Sequence, residues 1–409
     1  MLFNQIIGQQ ETKQHLVELV RHNRLSHALL FLSKEGSGAL SLAIAMSQYL
    51  TCTGRITKEG FASAQTSILF GDDLPKSEIR NPESETDACG VCPSCIKAAQ
   101  LIHPDIHFSY PVITKKTGSP PVSTDFVSEW RAFIKTNPYG NVYDWLQFIG
   151  AENKQGNITA HECNDIIRKL NLKSFESEYK ILIMWMPEYL GNEGNKLLKL
   201  IEEPPPNTLF ILVAENESLI LPTIVSRCQL IKIPALTAAD IETALIEKNK
   251  TEPGIARQIA GISEGSYREA IQLLQHADED WQTLLRDWLN AILKTGPAAQ
   301  TRWVEEISRL GREKQKQFLR YFNHLLQQAI RLRVMGQQAS AGTYMPEKEM
   351  DFALRLNKIT DIAGQQSIIE ELDKAAWYIE RNANAKILFH ALTIKLYHII
   401  QDKVVFLNA

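Results

Sequence analysis

The chain is expected to fold as an α/β domain on a parallel sheet, followed by a small and then a larger all-helical domain. Three observations carry this expectation. Short apolar runs at 28–32, 180–185 and 208–214 alternate with helical periods, and such alternation builds a parallel sheet with helices on both faces. From Pro234 onward strand patterns cease. From 281 to 405 nearly all of the chain has the period of amphipathic helix. The boundaries are placed at 1–233, 234–279 and 280–409.

Taken in order, 10–22 carries a helical period and 28–32 is a short strand. Ser33 to Gly38 is polar and glycine-bearing, after which Leu40, Ala43, Ile44, Ser47 and Leu50 fall on one helical face. Residues 53–88 hold much Ser, Thr, Asp and Glu without periodicity and are expected to form an exposed insertion. A strand is expected over 105–112. The stretch 113–150 carries seven aromatics, among them Trp130, Trp145 and Phe148. Few basic residues accompany them, so a local subdomain packing its own rings is favoured over stacking on single-stranded bases. Thr159-Ala160-His161-Glu162 has the form of a capping box and should open a helix to about 170. After a buried strand at 180–185, a helix at 191–203 is stopped by Pro204-Pro205-Pro206. Helices are expected at 237–247 and 266–276. Farther on, Phe318, Phe322, Leu325 and Leu326 form one apolar stripe, and Leu388, Leu392, Leu396 and Ile399 another.

The 409 residues are 44% hydrophobic and 22% charged, enough to bury a sizeable core. The formal net charge of −3 argues against a free-standing protein that grips nucleic acid by bulk charge. The opening Met1-Leu2-Phe3-Asn4-Gln5 has no basic or long apolar signal character, and no apolar run approaches the ~20 residues that span a bilayer. A cytoplasmic location is expected. Six cysteines are too few for a disulfide framework in a chain this long.

Two motifs resemble phosphate chemistry and lack its working parts. The loop Ser33-Lys34-Glu35-Gly36-Ser37-Gly38-Ala39-Leu40 follows the first strand. A phosphate loop of the form G-x-x-x-x-G-K-[ST] wraps phosphate in backbone N–H groups, balances charge with Lys and binds Mg²⁺ through Ser or Thr. Gly36, Ser37 and Gly38 keep the turn, but Ala39 stands at the Lys position and Leu40 at the hydroxyl position. Trp185 stands at the Walker B position, where a magnesium-binding Asp should follow the 180–185 strand. Phosphoryl transfer rests on positioning and charge stabilisation, so neither ATP hydrolysis nor a nucleotide site is expected. Glu188 is expected to be a solvated charge at a helix start.

Cys89-x-x-Cys92-x-x-Cys95, with Gly90 and Pro93 shaping tight turns, can direct three thiolates to one ion. Structural zinc takes four ligands in a tetrahedron; Cys52 and His103 are the candidates for the fourth. Cys163 and Cys228 are expected to be small core residues.

Several longer stretches resemble the clamp-loader branch of the AAA+ family, whose hallmark is Ser-Arg-Cys. They are Leu197-Leu198-Lys199-Leu200-Ile201-Glu202-Glu203-Pro204-Pro205-Pro206-Asn207-Thr208-Leu209-Phe210-Ile211-Leu212 and Leu221-Pro222-Thr223-Ile224-Val225-Ser226-Arg227-Cys228. Phe3-Asn4-Gln5-Ile6-Ile7-Gly8-Gln9, Leu25 to Phe31, and the cysteine cluster with His103-Pro104-Asp105 after it resemble the same family. The resemblance runs through most of 1–275. It implies a degenerate AAA+ domain with a zinc knuckle at about 52–95 and an insertion at about 113–150, a helical lid, and a helical collar. Cys52 matches the family's fourth ligand, which implies one structural Zn²⁺ held by Cys52, Cys89, Cys92 and Cys95. Arg227 would act in trans as an arginine finger on a neighbour's ATP. Arg268 matches the family's second sensor and is expected to be structural here, and Ile6 and Ile7 match its adenine-side lining.

Keeping Ser-Arg-Cys and the cysteines while losing the phosphate loop is the pattern of the family's non-hydrolysing subunit type. The implied partners are motor ATPase and delta-type subunits in a pentamer, the sliding clamp, and primed DNA within the complex, with no membrane. The alternatives are an active clamp-loader ATPase and a zinc-bearing nucleic-acid-binding protein. The chain departs from the family in its long 53–88 and 113–150 segments, and in Ala214-Glu215-Asn216, where a polar sensor should stand.

Overall fold

A computed structural model describes residues 1–54, 87–115, 118, 120–151, 154–275, 281–335, 347–380 and 383–403. Most of the insertion expected at 53–88 therefore lies outside the described residues. The chain divides into two compact units, Met1–Ala244 with Gly265–Glu269, and Leu245–Glu264 with Ala270–Ala409. The segment 234–279 is shared between them.

The first unit is built on five parallel strands, β1 (Ala28–Ser33), β2 (Ile106–Ser109), β3 (Lys180–Trp185), β4 (Thr208–Ala214) and β5 (Gln229–Ile233), in the order β2-β3-β4-β1-β5. The apolar runs read as strands because both faces are buried. Leu29 and Phe31 of β1, with Ile181, Ile183 and Trp185 of β3, enter one core layer. Ala28 and Leu30, with Leu182 and Met184, enter the other, as the period of two along a strand requires. Strand β2 is shorter than the expected 105–112, because Val112 leaves the sheet to bridge antiparallel with Asn157.

Helix α1 (Gln10–Arg21) and helix α2 (Ala39–Thr51) cover the first face, and every residue of α2 is buried. The loop Gly36–Gly38 joins β1 to α2, with φ of 71° and 90° at its two glycines. Helix α3 (Pro93–Ala99) follows the cysteine cluster.

The stretch 113–150 forms α4 (Val127–Thr136) and α5 (Val142–Phe148). Its aromatics pack among themselves as expected, and against the sheet. Trp130 stacks on Tyr110 at 3.9 Å between ring centroids, meets Trp145 edge-on at 5.3 Å, and lies 5.3 Å from Trp185. Trp145 Nε1 donates to the Pro111 carbonyl at 2.7 Å. Phe148 alone of the three named aromatics is largely exposed, at 43%.

Helix α6 (Ala160–Leu170) forms where the capping box places it, and Thr159 Oγ1 accepts from the Glu162 N–H. The reciprocal half differs from expectation. Glu162 is buried, and its carboxylate accepts from the Ser123 N–H at 2.7 Å and the Ser123 hydroxyl at 2.6 Å. The glutamate ties α6 to the 113–150 segment, because two charge-assisted hydrogen bonds there outweigh one to its own cap. The helix expected at 191–203 is interrupted: a 3₁₀ segment spans Pro187–Leu197 and only Leu198–Glu202 (α7) is α-helical. Gly191, with φ 50° and ψ −139°, breaks the hydrogen-bonding pattern. Helix α8 (Pro222–Val225) leads through Ser226-Arg227-Cys228 into β5, and helix α9 (Ala238–Asn249) follows the sheet.

The second unit is helical throughout its described residues, with α10 (Pro253–Ile262), the larger part of α11 (Tyr267–Gln275), α12 (Trp281–Asn290), α13 (Pro297–Arg309), α14 (Arg312–Met335), α15 (Glu347–Ile359), α16 (Ile362–Glu380) and α17 (Ala385–Gln401). Phe318, Phe322, Leu325 and Leu326 are fully buried, as their stripe predicts. Trp288 and Trp303 stack at 4.5 Å beside Phe318 and Phe389. On α17 the buried face is Phe389, Leu392, Leu396 and Ile399; Leu388 lies only at its edge. Ile387, Ile394 and Tyr397 of the same helix are exposed. Among the described residues, no helix is long and apolar enough to cross a membrane.

The aromatic weld between β3 and the 113–150 segment carries a testable consequence. Trp185→Ala should destabilise the first unit by about 3–5 kcal/mol, the range for truncating a large buried aromatic. Its urea unfolding midpoint would fall accordingly, whereas the same change at exposed Phe175 should leave that midpoint within about 0.5 kcal/mol of the unaltered protein.

Candidate functional sites: a thiol cluster, the loop after β1 and Arg227

The thiols of Cys52, Cys89, Cys92 and Cys95 all lie within 4.8 Å of one another. Cys52 ends α2, Cys92 caps α3, and Cys95 sits in the first turn of α3. Tetrahedral Zn–S bonds of about 2.3 Å give ligand–ligand edges of about 3.8 Å. The Cys52–Cys92 and Cys89–Cys95 sulfurs are 4.0 and 3.9 Å apart, so the donor set fits one such ion. Backbone N–H groups of Cys89, Cys92 and Cys95 point at the sulfurs of Cys52, Cys89 and Cys92, at 3.3, 3.4 and 3.4 Å, and hydrogen bonds of this kind favour thiolate. A hydrogen bond with the Cys95 thiol lowers Cys52 to about 5, and its counterpart pushes Cys95 up. Gly54 lies so close that a Cβ there would stand 2.8 Å from the Cys89 sulfur.

His103, the other candidate for the fourth ligand, lies outside this cluster. It is buried, with Nε2 3.0 Å from the Ser94 hydroxyl and 3.2 Å from a Glu176 oxygen, while Nδ1 accepts from the Asp105 N–H. Ser94 in turn donates to the Thr51 carbonyl at 2.6 Å, which braces the end of α2 against α3. Asp105 accepts from three successive N–H groups, Phe175, Glu176 and Ser177, at 2.6 to 2.8 Å. Burial opposes its charge, yet those donors hold its carboxyl below the usual range. His103-Pro104-Asp105 is thus a structural clasp beside the cluster. Cys163 is fully buried and Cys228 packs at the margin of the same core layer, as small core residues should.

The loop after β1 encloses a cavity of only about 30 Å³, lined by Gly36 to Leu40 together with Pro138, Tyr139, Trp185 and Met186. That is room for a water or so. The glycines make close approaches to protein: a Cβ on Gly36 would lie 2.1 Å from Ser266 Oγ, and one on Gly38 would lie 2.8 Å from the Tyr139 ring. Ser41 donates to the Pro138 carbonyl at 2.8 Å, and the Tyr139 hydroxyl accepts from the Ile7 N–H at 2.9 Å. Burial pushes the Tyr139 phenol up to about 12. Ile6 and Ile7 are both buried.

Arg268 points into this region and is 4% exposed. Its Nε and Nη2 donate to the two Asp144 oxygens at 2.5 and 2.6 Å, and Nη1 lies 3.8 Å from Glu35. The bidentate geometry gives it a structural role, as expected. Glu188 differs from expectation. Its carboxylate accepts from the Glu215 and Asn216 N–H groups at 2.6 and 2.8 Å, and burial raises its pKa. It is the staple of the turn after β4 and is not a solvated charge.

Arg227 follows α8 at the start of β5, about one-third exposed. Nη2 donates to Glu202 at 2.7 Å and Nη1 to the Thr223 carbonyl at 2.7 Å. Asp144, Glu35 and Tyr139 were not legible as partners of the loop and Arg268, because nothing local in the sequence signals a contact across more than a hundred residues.

A family model described as DNA polymerase III, delta subunit, matches residues 69–237. DNA polymerase III subunit delta' of Bacillus subtilis is 24% identical over 258 residues, covering 63% of this chain and 56% of that protein. Subunit tau of the same organism is 29% identical over 196 residues, covering 46% of this chain and 34% of that protein. The chain thus spans between a third and just over half of the length of these relatives. A solved DNA polymerase III gamma-subunit-related protein of Thermotoga maritima aligns with a TM-score of 0.36 at 13% identity, over 94% of this chain and 99% of that one. Over these spans the chain is similar to DNA polymerase III subunits of the delta' and tau kinds.

Proposed function

We propose that the chain is the non-hydrolysing, delta-prime-type subunit of a bacterial replicative clamp loader. In this reading it works in the cytoplasm within a pentamer of motor ATPase and delta-type subunits. It helps place the sliding clamp on primed DNA, with 234–279 as lid and 280–409 as collar. The observation that carries the reading is the pairing of an intact Ser226-Arg227-Cys228 with a loop pocket of about 30 Å³ in which Ala39, Leu40 and Trp185 stand at the positions of the catalytic Lys, hydroxyl and carboxylate. In a chain that does no phosphoryl transfer itself, that arginine would serve another chain's site. The exposed Ile387, Ile394 and Tyr397 of α17 supply apolar surface of the kind that helical assembly buries.

The trans role is electrostatic. A preorganised guanidinium beside a neighbour's γ-phosphate stabilises charge that develops in phosphoryl transfer. In the isolated chain Glu202 and the Thr223 carbonyl hold Arg227 along the surface. Docking would exchange the Glu202 partner for phosphate oxygen. Arg227→Ala should leave folding and assembly intact and lower ATP hydrolysis by the assembled loader, by up to about 10³-fold at the neighbouring site. Lys should rescue poorly, because a point charge does not reproduce the planar fork. An assembled Arg227→Ala loader with unchanged ATPase rate and clamp stimulation would show the assignment to be wrong.

The isolated chain should not turn over ATP. Turnover that disappears when Gly36 or Gly38 is altered would instead favour the active-ATPase reading, to which the relative named tau otherwise lends weight.

Cys52, Cys89, Cys92 and Cys95 are proposed to hold one structural zinc. Metal analysis of freshly reduced protein should find about one zinc per chain. Cys92→Ser should lower that content and loosen the 87–99 region to proteolysis while the sheet stays folded. Zinc-free protein with unaltered protease resistance there would count against the site.

A further inference from the structure

We propose that residues 137–144 are a built-in occupant of the loop pocket, an intramolecular ligand that stands where a phosphate-bearing ligand would and keeps the loop closed. Four residues of this segment, which runs from the end of α4 into α5, make the contacts. Tyr139 lies against Gly38 so closely that no Cβ fits between them, and its hydroxyl accepts from the Ile7 N–H at 2.9 Å. Its ring also meets Tyr267 edge-on at 5.0 Å. The Pro138 carbonyl accepts from Ser41, in the first turn of α2, at 2.8 Å. The Asn141 amide donates to Glu35 of the loop at 2.9 Å. Asp144 presents two carboxylate oxygens to Arg268 in the fork geometry that guanidinium also offers to phosphate.

The chemistry of the segment matches the pocket point for point. A flat ring covers the glycine of the loop, a carbonyl takes the hydroxyl at the helix start, and a carboxylate neutralises the buried arginine. An Arg268 without counter-charge in that interior would be strongly destabilising, so Asp144 supplies what a bound anion would otherwise supply. Trp185 anchors the arrangement from below through Trp130 and Phe133 of α4, at 5.3 and 6.2 Å. The backbone then crosses directly in front of the loop. This inference goes beyond the clamp-loader reading and holds or fails independently of it.

Hydrogen exchange on the full chain, read by fragment-resolved mass spectrometry, tests it. Tyr139→Phe keeps the ring and removes one acceptor, so it should fold. It should speed exchange of the Ile7 amide by about tenfold, as expected for loss of one buried hydrogen bond, while β4 amides stay unchanged. Asp144→Asn should likewise speed exchange of the Tyr267 amide, which donates to the Gly36 carbonyl. In the unaltered chain, ADP or inorganic phosphate at about 1 mM, enough to fill any tighter site, should leave exchange across 33–40 and 137–144 unchanged. Unchanged Ile7 exchange in Tyr139→Phe would overturn the proposal, as would slowing of the 33–40 amides of the unaltered chain by ADP.

Discussion

Trp185 ends β3 with its indole 3% exposed, between Trp130 and Phe133 of the 113–150 segment. A carboxylate at that position would need a cation or a cluster of donors. An indole needs only apolar neighbours, and the segment brings them: Trp130 stacks on Tyr110, and Trp145 closes the group edge-on. With this cluster fixed to the end of β3, the chain between α4 and α5 lies against the loop after β1. The small cavity and the contacts of Tyr139 with Gly38 and of Asp144 with Arg268 lie beside that anchor.

The first unit carries a second, chemically distinct brace on the same face of the sheet. The thiol cluster gathers the end of α2 and the start of α3, and the Thr51–Ser94–His103 chain continues inward from it. Asp105 then gathers the 175–177 turn onto the start of β2. One end of α2 is thus held by sulfur and hydroxyl chemistry, and the other is held by Pro138 and Tyr139. This explains how a helix with all thirteen residues buried can be positioned without a charged group of its own.

What the sequence disclosed follows the range of the physics involved. Strands β1, β3 and β4 were legible because both faces of a central parallel strand are apolar, and the Cys spacing was legible because a tight turn sets it. The C-terminal stripes were legible through helical period, apart from the shift from Leu388 to Phe389. Glu162 and Glu188 were misread because each resembles a local helix-start charge, whereas its partners, Ser123 and the Glu215–Asn216 backbone, are distant in sequence. Helices α4 and α5 lacked a clear period, since their rings face both each other and the sheet.

Arg268 and Arg227 end in opposite electrostatic situations. Arg268 is buried with a bidentate carboxylate and a second acid at 3.8 Å; removing one partner of such a pair costs about 3–5 kcal/mol. It is committed to its own chain. Arg227 shares a single, half-exposed Glu202 and a carbonyl, and an ion pair in that setting stabilises by about 0–1 kcal/mol. In the proposed trans role, a phosphate oxygen would displace Glu202 with little loss, and the planar fork would arrive already oriented by the Thr223 carbonyl. Of the two, only Arg227 can leave its partner without disturbing the fold that presents it.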